Sequence, residues 1–375
     1  VLRESTYEIV LVPDDGSAPK VLASRRYYAN MNVASRLTYR VAPGGDWAAY
    51  AGPDDQLHLR PALGPEIVLE HVKHGFAFAP DGRSVAVALT RGMRFRKVRR
   101  WMGTSEHEED EIALVDLRDG TRHTIGTAFD VERMEWIQGG LVVAQHVRRD
   151  ERQHGEDGWH WMWDRELTLF RADQEPATLF RGDLGRFTAA ARGSRILYFN
   201  RAGVYELDAS RPERPPRKLD MWRDDVGNAE ISADGAIALF GLQASVGVTR
   251  QPSVFLVDGS GPRPVADFVS DLWFADEGRA FVFSSGDKLY YGEGPAPREL
   301  HFGAPTKTAI DSVRFRRDGR GLVGVRGNQV LAWDPEQGRE VVLYSEADAQ
   351  QKIIGAEHFH GGLLLWRERP DKPAR

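Results

Sequence analysis

The chain contains no cysteine. Disulfides, thiolate nucleophiles and zinc–thiolate centres are therefore excluded. No run of 18 apolar residues occurs, so the sequence offers no hydrophobic membrane-spanning helix. The first residues, VLRESTYEIV, have neither the basic start nor the apolar core of a signal peptide. They also lack Met, and we read the start as processed, trimmed or cut from a larger chain. A cytoplasmic location is the expectation, with the cell envelope as the alternative. P-loop, dinucleotide glycine fingerprint, H-E-x-x-H and EF-hand patterns are all missing. The net charge of −5 argues against a dedicated nucleic-acid binder but permits a local basic patch.

Glycine and proline are plentiful, at 38 and 20 of 375 residues, which signals many turns. One pattern recurs: an apolar residue, a short polar turn ending in Gly, then an alternating apolar strand. It reads FAPDGRSVAVAL at 78–89, ISADGAIALFGL at 231–242, FADEGRAFVFSS at 274–285 and FRRDGRGLVGVR at 315–326. Looser copies centre on Gly45, Gly139, Gly193 and Gly361. Five of the seven spacings between successive turn glycines lie between 37 and 43 residues, and the other two are 57 and 54. Asp-Gly and Gly-Gly between apolar runs mark hairpins, because Gly accepts the positive φ of tight turns. A second hairpin follows each copy, as in EIALVDLRDGTRHTI at 111–125 and QVLAWDPEQGREVVL at 329–343. Four strands in 40–45 residues is the period of a β-propeller blade.

The chain begins in the second half of a unit, at 7–22, and ends in the first half of one, near 358–367. Seven whole units lie between. The two halves are expected to pair as an eighth blade and hide the open edges. The expected fold is all-β: a single domain over 1–375, an eight-bladed β-propeller of four-stranded antiparallel blades, with seven blades as the alternative. The stretches FAPDGRSVAVAL, ISADGAIALFGL and FRRDGRGLVGVR resemble the repeats of TolB-like propellers and of the propeller domains of prolyl-oligopeptidase and dipeptidyl-peptidase enzymes. The resemblance implies a WD-like repeat scaffold. TolB-like proteins imply a binding role. The peptidases carry their chemistry on a hydrolase domain with a G-x-S-x-G elbow, and that motif is missing here. The WD dipeptide occurs at Trp333-Asp334 in a suitable place and at Trp163-Asp164 in a long connection.

Function on repeat folds lies where the repeat is broken. The connection from second to third strand is short in most units, but long at about 90–110 and 146–165 in neighbouring blades. The first insertion contains RFRKVRRWMGTSEHEEDE. As a hairpin with Gly103-Thr104 at its tip, it sets Arg99 against Glu108, Lys97 against Asp110 and Arg96 against Glu111. Exposed ion pairs of this kind contribute only a few tenths of a kcal/mol each. The second insertion places Trp159, Trp161 and Trp163 at alternate positions, hence on one face of a strand. The plain reading is a small satellite core between the hairpins. The functional reading is a partner-binding crest of Arg94, Phe95, Arg96, Arg99, Arg100, Trp101, Met102, Trp159, Trp161 and Trp163, since Trp and Arg dominate interface hot spots. No catalytic residue, metal site or cofactor is assigned; His146, His154 and His160 match no ligand spacing. The expected role is non-enzymatic, a scaffold or sensor for a protein or peptide.

Two alternatives stay open. Carboxylates at 130–136 and 220–228, Asp224 and Asp225 among them, would line a channel mouth in an enzyme or small-ligand binder. The basic residues at 91–100 with Phe95 and Trp101 would clamp single-stranded nucleic acid, although the acids at 106–111 cancel much of that field. A further connection, RRYYANMNVASR at 25–36, would lie on the same face as the hairpins.

Overall fold

The computed structural model describes residues 4–28, 39–52, 55–90, 98–100, 103–105, 109–155, 158–200, 203–219, 226–242, 254–266, 271–276, 279–285, 287–293, 296–301, 308, 310–316, 321–348, 350–360 and 362–370. Every regular element among them is a β-strand, arranged as eight four-stranded antiparallel sheets and one two-stranded ribbon. The sheets are the blades of an eight-bladed β-propeller. In chain order, blades one to seven span 39–69, 72–129, 133–182, 186–218, 226–266, 271–300 and 310–345. Blade eight joins the two ends of the chain, with Glu4–Pro13 and Lys20–Tyr28 beside Lys352–Phe359 and Gly362–Pro370. Contacts divide the chain into a unit of 70–224, holding blades two to four, and a unit of 1–69 with 225–375, holding the other five.

The recurring turn explains the repeat. In blade two the Ala79 amide donates to the Ser84 carbonyl (2.8 Å) and the Gly82 amide to the Ala79 carbonyl (2.9 Å). Asp81 Oδ1 accepts from the Arg83 amide at 3.0 Å, and Gly82 takes a φ of 68°. A side chain at that φ is strained, which is why the turn ends in Gly. The same closing bond recurs at Ala42, Ala190, Ser232, Ala275 and Arg316. Asp-Gly is thus a local hydrogen-bonding device that reverses the chain within the four residues inside the closing bond.

Beyond the turn, second strands are buried along most of their length, as in Ser84–Thr90. Residues on both faces of such a strand are buried, so it is apolar without alternation. Phe187, Leu167 and Ile196 join blades three and four, while Trp333, Leu289 and Val313 join blades six and seven. Blade-to-blade contacts also carry a polar latch. A carboxylate on the first strand of one blade accepts an amide from the first strand of the next. Glu135 holds Ala189 (2.6 Å), Asp271 holds Val313 (3.0 Å) and Glu357 holds Val41 (2.9 Å).

Candidate functional site: the hairpin side of blades two and three

Along each blade the strands alternate in direction, so the second-to-third connection and the link to the next blade leave from the same end. In blades six and seven the second-to-third connection is two residues, 286–287 and 327–328. In blade three the strands themselves run on, as Gly140–Gly155 and Gly158–Phe170. The insertion seen in the sequence is therefore a continuous two-stranded ribbon. Trp159, Trp161 and Trp163 occupy alternate positions of its second strand, opposite His154, Arg152 and Arg148. A register shift between Arg148 and Arg152 bends the first strand. The side chains at 148–163 lie outside the described residues.

Blade two carries the ribbon Val98–Arg100 with Gly103–Ser105. Its register corrects the sequence expectation. Arg100 faces Gly103 and Arg99 faces Thr104, so Gly103 and Thr104 belong to the returning strand and are not the tip. Arg99 does not face Glu108. Asp110 faces Thr90 and Glu111 faces Leu89, within the blade, so neither faces Lys97 or Arg96. Asp110 is wholly buried and accepts from Thr90 Oγ1 (3.1 Å) and, at 3.4 Å, from the Val131 amide. The reason is energetic. Exposed charge pairs are too weak to set a register, whereas a buried carboxylate must be hydrogen-bonded. Arg94, Phe95 and Arg96, as well as Trp101 and Met102, lie outside the described residues; Arg99 and Arg100 are described in backbone only. The connection at 29–38, and Asp224 with Asp225, also lie outside them.

An ionic cluster that the sequence reading did not assemble ties down the root of the blade-three ribbon. His146 and Arg165 face each other across the two strands. His146 Nε2 is 2.8 Å from Glu132 Oε1, and its Nδ1 lies 3.7 Å from Asp130 Oδ2. Arg165 reaches Glu132 at 2.9 Å and donates to the Leu184 carbonyl at 2.6 Å. Asp130 and Glu132 belong to the link entering blade three, and Leu184 to the link leaving it. Both ribbon strands are thus clamped to the entering link, and the second strand also to the leaving one. The carboxylates of Asp130 and Glu132 hold His146 up to about 9, against its burial. Burial opposes ionisation of Glu132, but His146 and Arg165 keep it below the usual carboxylate range. The pattern D-x-E followed by a His on the next-but-one strand was the available signal; only the topology shows that they meet.

A second polar cluster lies on the first strands of blades six, seven, eight and one. Arg314 pairs with Asp271 and sits over the Trp273 ring at 4.2 Å. Burial and the nearby Glu357 carboxylate push the Tyr39 phenol up. No group of three or more His, Asp or Glu among the described residues is arranged to hold a metal ion. Among them, too, no helix is long and apolar enough to cross a membrane.

No protein-family model matches the chain, and no curated protein does. Solved structures are similar in fold. A eukaryotic initiation factor is 12% identical, with 98% of each chain covered and a TM-score of 0.51. The β-propeller domain of the Trilobed protease from Pyrococcus furiosus is 14% identical over 79% of this chain and 93% of its own, with a TM-score of 0.47. Pyrococcus horikoshii acylaminoacyl peptidase is 14% identical over 77% of this chain and 47% of its own, also at 0.47. Likeness at these identities concerns the fold alone.

Proposed function

We propose that the chain is a non-enzymatic propeller that binds a protein or peptide through the neighbouring ribbons of blades two and three. The observation that carries this reading is the blade-three ribbon, 16 and 13 residues long where most blades have strands of five or six. A ribbon of that length adds little to the stability of the blade beneath it. The charged clamp at its root is the second support, since a fixed base lowers the ordering cost of binding. The Trp triplet at alternate positions and the Arg-rich ribbon of blade two supply the residue types that anchor interfaces. The resemblance of the repeats to TolB-like propellers is compatible with a binding role and identifies a repeat class only.

The test is partner capture by affinity purification, with quantitative comparison of three proteins: the full chain, one with 91–105 replaced by a short turn, and one with 148–163 replaced by Asn-Gly. The partner should be lost from both shortened proteins. Unchanged capture by both rejects the proposal. A small-ligand role keeps one specific support, the Arg314–Asp271–Trp273 cluster. A binder of that kind would retain its ligand in both shortened proteins. Salt-sensitive retention of single-stranded oligonucleotides would favour the nucleic-acid alternative.

A further inference from the structure

An edge strand free to pair with another chain is a hazard, and most blades guard theirs. Outer strands of blades two, three, four and six carry exposed Arg or Lys, at Arg122, Arg181, Arg217, Lys218 and Arg298. Blade five has prolines in its outer strand, Gly261–Ala266, and blade one has an outer strand of three residues. In blade seven the exposed guard, Arg339, stands only at the start of the outer strand. That strand, Arg339–Ser345, presents Val341, Val342 and Leu343 in sequence at 40, 49 and 37% exposure. The strand is long, apolar and unguarded over its middle.

The same strand borders a cleft of about 590 Å³ between blades seven and eight, both within the larger unit. Leu343 and Tyr344 form one side, Val12 and Leu363 of blade eight the other, and Arg316 and His358 also line it. This volume suits a few side chains or a small ligand. Arg316 and His358 are half-buried, while Asp14, on the rim, is exposed and screened by water. A guanidinium carries five donors in a fixed fork, so it can serve a carboxylate besides its contacts within the fold.

We infer that this edge and cleft dock the C-terminal segment of a partner polypeptide: an extended, apolar peptide with a free carboxylate. The peptide adds a strand along Val341–Leu343 by main-chain hydrogen bonds. Its last apolar side chain enters the cleft between Leu343 and Val12, and its terminal carboxylate meets Arg316. A second copy of this chain is the other occupant an unguarded edge invites. Two-fold pairing about Val342 would set Val341 against Leu343 but leave the cleft and Arg316 unfilled. The cleft therefore favours the peptide.

The experiment uses the full chain and fluorescent eight-residue peptides of alternating Val and Ser, with either a free carboxylate or an amide at the C-terminus. Binding is followed by fluorescence anisotropy. The free-acid peptides should bind at least tenfold more tightly than the amides. Leu343→Lys and Arg316→Gln should each weaken the free-acid peptide at least tenfold, with unchanged melting temperatures. Replacing 148–163 by Asn-Gly should change nothing, so this site and the ribbon site fail or stand separately. Equal affinity for acid and amide, no binding of either, or full affinity in both variants would overturn the inference. So would a dimer in sedimentation that Leu343→Lys converts to monomer.

Discussion

Trp333 shows how much one residue can carry. It is 1% exposed, donates its indole N–H to Glu340 at 2.7 Å and packs among Leu331, Leu322 and Val313. Next to it, Asp334 Oδ1 accepts the Glu336 and Gln337 amides, both at 2.9 Å, and caps the following turn. The Trp-Asp pair was legible in the sequence as a blade signature; the partner Glu340 was not, because it comes from across a hairpin. Trp333→Ala should destabilise the fold by about 3–5 kcal/mol in urea denaturation. Gly324 supplies the space: a Cβ there meets the Ser312 carbonyl and, at 2.7 Å, the Trp333 ring. Gly324→Val should cost about 1–3 kcal/mol or more by overpacking. At His146 the signs run with pH. Its raised pKa adds stability in full below its ordinary value of about 6.5, and this is lost as pH rises through about 9. Glu132 is lowered, so its contribution is present in full above the usual Glu value and lost as pH falls through its lowered one. Thermal unfolding from pH 6 to 10 should show an alkaline loss that His146→Asn removes. An unaltered profile in that variant would disprove the assignment.

At the scale of elements, local chemistry decided what could be read from sequence. Asp-Gly turns and apolar second strands are set by neighbours within a few residues, so the four-stranded unit and its count were legible. Register was not, wherever it rested on exposed charge. In the ribbon of blade two Gly103 and Thr104 are paired strand residues, and Asp110 and Glu111 belong to a buried strand rather than to a charged hairpin. The blade-three insertion read as a connection, yet its strands are continuous with the blade, because a long ribbon and a loop share a polar composition. A prediction follows from that continuity. With 148–163 replaced by Asn-Gly, the chain should keep its stability within about 0.5 kcal/mol, as for surface changes away from the core. A loss of several kcal/mol would mean that the Trp positions serve the core and not a partner.

For the whole molecule, the decisive element is blade eight, whose two halves come from opposite ends of the chain. The pairing of the termini was expected from the half-units at each end. Its lock was not. Arg367 joins Glu8 (2.6 Å) and Glu346 (2.8 Å), binding the last strand to the first and to the end of blade seven. The carboxylates are about as hidden as core residues, with side chains 5 and 8% exposed. Arg367→Ala would leave Glu346 without a cation and Glu8 with only Arg369, at 3.6 Å, and should cost about 3–5 kcal/mol. Chemical denaturation should show this, with Arg367→Lys recovering only part, since Lys lacks the guanidinium fork.

The same seam has a mechanical meaning. The first strand pairs with the last from Ser5↔Pro370 to Pro13↔Gly362, antiparallel, so the outer ends of both strands lie together. Tension between those ends would fall on one rung at a time, peeling the strands apart rather than shearing nine rungs at once. Any polypeptide continuing from either end would therefore leave beside the other and have a direct grip on the seam. A modest pull through such extensions would part blade eight before the other blades bore any load.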